Sequence, residues 1–120
     1  MTDFYKLSTE LNNTANLIQK KDGEVEDARL VYMQSKANYE RLVAKALIET
    51  KLRNPDMTQT DIKAESVIIT YDDKMASIIA ESKYKKLVGE LRSLRDKLDA
   101  LKECAYNLRC EAKLTPQIQK

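Results

Sequence analysis

Apolar residues between Tyr84 and Leu114 return on two positions of a seven-residue repeat. One series is Tyr84, Leu91, Leu98, Ala105 and Ala112; the other is Leu87, Leu94, Leu101 and Leu108, with mostly charged residues between them. A helix with so narrow an apolar stripe seeks a partner helix. Each leucine left in water would cost roughly 1.5–3 kcal/mol. A second series starts at Phe4 and holds its phase through Leu11, Ile18, Val25, Tyr32, Tyr39 and Ala46. Its companion is weaker: Leu7, Thr14, Lys21, Ala28, Ser35, Leu42 and Glu49. Gly23 lies inside this pattern, where glycine disfavours helix, yet Val25 arrives on schedule. One long helix is therefore favoured over two helices split at Gly23, and a bend at Lys20-Lys21-Asp22-Gly23 stays open.

Pro55 closes that element, because proline lacks a donor and disfavours helical geometry in the residue before it. Thr58-Gln59-Thr60-Asp61 has the form of a capping box, which starts a short helix just after Thr58. The β-branched cluster Ser66-Val67-Ile68-Ile69-Thr70-Tyr71 would need a partner if it were a strand, and no second run of this kind exists. It reads as helix. Asp72 and Asp73 then open a last helix that takes in Met75, Ile78 and Ile79 before entering the leucine register. The expected organisation is one domain. Residues 1–53 form a long N-terminal helix, 54–72 a connector with a short helix, 73–114 a C-terminal amphipathic helix, and 115–120 a tail. The expected fold is all-α: the two long helices form an antiparallel helical hairpin, with coiled-coil-like packing that sister copies complete into a homo-oligomer. The interface expected between copies is Leu87, Leu91, Leu94, Leu98, Leu101 and Leu108.

Composition narrows the picture further. A chain of 120 residues forms at most one small domain. With 42% hydrophobic and 33% charged residues, two glycines and two prolines, it is too apolar for disorder and too poor in turn residues for a sheet. A net charge of +2 does not by itself argue for a polyanionic partner. Cys104 and Cys110 lie about 9 Å apart along a helix axis and on different faces, out of disulfide reach. Two thiols without a framework of spacings fit a reducing compartment. Met1-Thr2-Asp3-Phe4 leads into no apolar core of signal-peptide length, and no apolar run approaches the roughly 20 residues that cross a bilayer. A cytoplasmic protein without a membrane partner is expected.

Candidate chemistry is sparse. There is no histidine, no glycine-rich phosphate loop and no cysteine–histidine pair, and Asp72-Asp73 reads as helix capping in place of a metal site. No enzyme, cofactor or metal is expected. Cations are more informative. Arg95, Lys102 and Arg109 recur every seven residues beside the leucine seam, with Lys85, Arg92 and Lys113 on an adjacent line. Such lines can follow a phosphate backbone or form inter-helix salt bridges with Glu90, Asp96, Asp99 and Glu103, and the salt-bridge reading is favoured. A second cluster comprises Arg41, Lys45, Lys51 and Arg53, with Lys63 across the loop, bracketed by Tyr39 and Tyr71. A cationic track with aromatic faces suits single-stranded nucleic acid; cations at a helix C-terminus also stabilise its dipole. The two readings balance. Tyr32 and Tyr39, on the seam, read as core.

Leu98-Asp99-Ala100-Leu101-Lys102, followed by Ala105-Tyr106-Asn107-Leu108, resembles the end of the T4-type phage recombination mediators, the UvsY-like family. The order of a long N-terminal helix, a basic connector, Lys63, Glu65 and Ser66, and a final amphipathic helix is also similar, over residues 40 to 114. More broadly the chain resembles small all-helical early proteins of tailed phages. The resemblance implies a non-enzymatic accessory in a bacterial host cell. It would bind single-stranded DNA as a ring-like homo-oligomer and assist a recombinase on strands covered by single-strand-binding protein. The family's basic connector maps onto Lys45, Lys51 and Arg53, and its oligomerising helix onto Leu91, Leu94, Leu98, Leu101 and Leu108. The aromatic-plus-glycine ending of the family's first helix is replaced here by Arg53-Asn54-Pro55-Asp56. The alternative is a phage-encoded helical interaction protein, of the anti-defence or anti-CRISPR type, that inhibits or adapts a host complex.

Overall fold

The computed structural model describes residues 4–118, with side chains from Phe4 to Ala112; Lys113 and the side chains of the expected tail at 115–120 lie outside that set. Three helices are present, α1 (Phe4–Arg53), α2 (Gln59–Ile69) and α3 (Tyr71–Ile118), and there is no strand among the described residues. The fold is an all-α antiparallel helical hairpin with a short helix between its long arms. It divides into two compact units. One combines the residues up to Val25 with those from Leu87 onward; the other is the continuous run Glu26–Lys86.

In the first unit, the α1 and α3 numbering runs in opposite directions. Leu7 shares a cavity with Leu101 and Leu108, and Leu17 and Lys21 share another with Glu90 and Leu94. Leu7, Thr14, Leu91 and Ala105 are buried. Leu87, Leu94, Leu98, Leu101 and Leu108 are half-buried. The leucine seam thus has a partner inside its own chain. Its repeat calls for a partner helix, and α1 covers it in part.

In the second unit, Tyr32 of α1 stacks on Tyr84 of α3, with ring centroids 6.0 Å apart and planes 19° apart. This agrees with Tyr32 as a packing residue. Thr58 caps α2 as its sequence suggested: its backbone is extended and its hydroxyl accepts from the Asp61 N–H at 3.2 Å. Only Thr70 separates α2 from α3. Its N–H and its hydroxyl both donate to the Ser66 carbonyl, at 3.0 and 2.7 Å. The β-branched cluster is therefore helical up to a single joint residue.

The side chains inside the second unit are mostly small: Ala28, Ala46, Thr50, Ser66, Thr70, Ser77 and Ala80, with Ile62 the one large exception among its buried residues. Small side chains let helix backbones approach closely. Large ones point outward, including Met75, Ile78 and Ile79, all more than a third exposed. The seven-residue phase of the leucine seam runs straight back through Tyr84, Ala80, Ser77, Asp73 and Thr70, so those three apolar residues fall on the opposite face from it. On α1 likewise, the weaker companion series supplies buried Leu7, Thr14 and Ala28. The stronger one is mostly half-buried, and Phe4 is exposed.

Candidate nucleic-acid interface

α1 ends at Arg53, the loop turns at Pro55, and α2 begins at Gln59. This tight return brings two stretches of the basic cluster together. Lys51 from the last turn of α1 and Lys63 from the second turn of α2 line one groove, whose floor is Leu47, Ile48, Leu52 and Ile62. Lys51 Nζ donates to the Pro55 carbonyl at 3.2 Å, which ties the groove to the loop. Arg53 lines a neighbouring hollow with Asn54, Pro55, Asp56 and Met57. Lys63 and Arg53 are exposed and form no ion pair among the described residues. Ile48 and Leu52 remain 62% and 74% exposed, so the floor is open to solvent.

The other members of this cluster are engaged locally. Arg41 Nη2 donates to Asn38 Oδ1 at 3.1 Å, and Lys45 lies 3.9 Å from Glu49 one turn on. Tyr39 is half-buried on the seam, and Tyr71 is exposed at the start of α3. The groove itself holds no aromatic side chain.

Cations beside the leucine seam divide. Arg95 pairs with Asp22 of α1 at 3.2 Å, an inter-helix bridge of the kind its position suggested. Glu90 accepts from Lys21 of α1 at 2.9 Å and not from a cation of its own helix. Lys21 also bridges Glu24 at 2.9 Å. Hydrogen bonding with Glu24, then with Glu90, raises the Lys21 pKa above its ordinary value, and the same contact lowers that of Glu24. Lys85 pairs with Glu81 at 2.7 Å, which raises its pKa. Arg92, Lys102 and Arg109 stay exposed without an ion pair among the described residues. Lys102 and Arg109 share one line of the helix.

Periodicity alone could not have revealed the Asp22–Arg95 and Lys21–Glu90 pairs, because they depend on the register between α1 and α3. No group of three or more histidine, cysteine, aspartate or glutamate residues among those described could hold a metal ion. Among the described residues, no helix is long and apolar enough to cross a membrane. No family model, curated protein or solved structure matches the chain.

Proposed function

We propose that this chain is a non-enzymatic, single-strand-binding accessory of the recombination-mediator kind. The observation that carries the reading is the α1–α2 groove. Two lysines from different helices flank an exposed aliphatic floor. Ammonium groups can neutralise successive phosphates, and the exposed aliphatic floor offers apolar contact to whatever lies between them. The resemblance of the C-terminal helix to the mediator family supports the same reading. Its wider partners, a recombinase and a single-strand-binding protein, belong to this proposal. The mechanism is positioning: one weak phosphate track per subunit gains affinity when several subunits hold the same strand.

A fluorescence-anisotropy titration with labelled oligo(dT) across a salt series tests this. Binding should weaken as salt rises. Replacing Lys51 and Lys63 together by alanine should flatten the logarithmic salt slope by about 1.4, the share of two phosphates on a single strand. Circular dichroism should show the variant as helical as the parent. Absence of binding at low salt overturns the reading, and so does an unchanged slope.

A further inference from the structure

A second apolar stripe crosses α2 and the start of α3 on the side away from the seam. Val67, Ile68, Tyr71, Met75, Ile78 and Ile79 are between 36% and 70% exposed. On α3, Tyr71, Met75, Ile78 and Ile79 fall at i, i+4, i+7 and i+8, the spacing of a helix face that packs against something, while Val67 and Ile68 lie on α2 before the joint at Thr70. Single exposed apolar residues are ordinary, but a contiguous row of this kind marks a contact surface. Nothing in the chain's own second unit covers it.

The charges along this face indicate what does. At the start of α3 this face carries Asp72, beside the exposed Tyr71 and Met75. Beyond Ile78 and Ile79 it carries Lys85 and Lys86. On one line of α3 the order is Asp72, Ile79, Lys86; on the next it is Tyr71, Ile78, Lys85. The pattern changes sign about its apolar centre. A partner related by a two-fold axis needs that property, since in an isologous contact residue i meets j and j meets i. When two copies cross antiparallel at Ile79, Asp72 of each lies opposite Lys86 of the other. Neither Asp72 nor Lys86 forms an ion pair among the described residues, so both are available. Lys85 is already held by Glu81.

We infer that the outer face of the first turns of α3 is a self-association surface, on which a second copy of this chain packs antiparallel about a two-fold near Ile79. The inference uses neither Lys51 nor Lys63 and deepens the multi-subunit part of the nucleic-acid reading; a monomeric parent that still binds oligo(dT) overturns it and leaves the strand-binding groove standing.

Sedimentation equilibrium of the full chain from low to high micromolar concentration tests it. The parent should be a dimer. Lys86→Glu puts like charges together at both symmetric contacts and should weaken association at least about tenfold. Adding Asp72→Lys to it exchanges the two signs and should restore the dimer. Ile79→Asp keeps both charges and should be monomeric, with far-UV circular dichroism showing all variants equally helical. A parent that stays monomeric throughout overturns the proposal, leaving the stripe to a foreign protein. A Lys86→Glu variant as tightly associated as the parent overturns it too, as does a double exchange that stays weak.

Discussion

Thr50 is 1% exposed in the second unit, and its Oγ1 has no hydrogen-bond partner among the described residues. A buried hydroxyl without a partner has lost its water and gained nothing in exchange. Valine has nearly the same shape without the polar atom. Thr50→Val should therefore stabilise the fold by about 1 kcal/mol in chemical denaturation. Thr50→Ser keeps the hydroxyl, removes the methyl group and should destabilise. If both variants melt alike, the hydroxyl is not the determinant. Thr70 shows the contrast: its hydroxyl donates to the Ser66 carbonyl at the α2–α3 joint.

At the scale of the helix, α1 passes Gly23 without a break, and the glycine has no positive φ. A Cβ added at Gly23 or at Gly89 would meet nothing within 4 Å. Neither glycine serves a turn or a close approach here, so each only adds backbone freedom to the unfolded chain. Gly23→Ala and Gly89→Ala should each stabilise by about 0.5–1 kcal/mol, read as a higher Tm at unchanged helicity. The phase of both seams, the stop at Pro55 and the Thr58 cap were legible in the sequence, because each depends on local spacing or local geometry. The choice of inner face between Thr58 and Tyr84 was not. Hydrophobicity favours Met75, Ile78 and Ile79, whereas close helix packing selects Ser66, Thr70, Ser77 and Ala80. The site was legible in the same measure. Pro55 turns the chain so that Lys51 and Lys63 meet, but the pairing of Arg95 with Asp22 depends on a register between helices about 70 residues apart in sequence.

Over the whole molecule, the leucine repeat announces that a partner helix exists without saying whose. Read from periodicity alone, Leu98→Asp would break an assembly and leave each helix standing. With α1 as the partner, the same substitution places a charge in the hairpin's own seam. It should cost about 2 kcal/mol or more of stability, through a drop in Tm that does not depend on protein concentration. A concentration-dependent drop would return Leu98 to a contact between copies. The division into two units also has a consequence for synthesis. Glu26–Lys86 is an uninterrupted stretch, whereas the other unit joins residues from both sides of it. On a ribosome the inner stretch has every component it needs once Lys86 has emerged. Leu7 must wait for Leu101, which at ~5–20 residues per second is a delay of roughly five to twenty seconds. For that interval the amino-terminal turns of α1 present their apolar edge to chaperones and proteases, so the nascent chain is most vulnerable at the end that was made first.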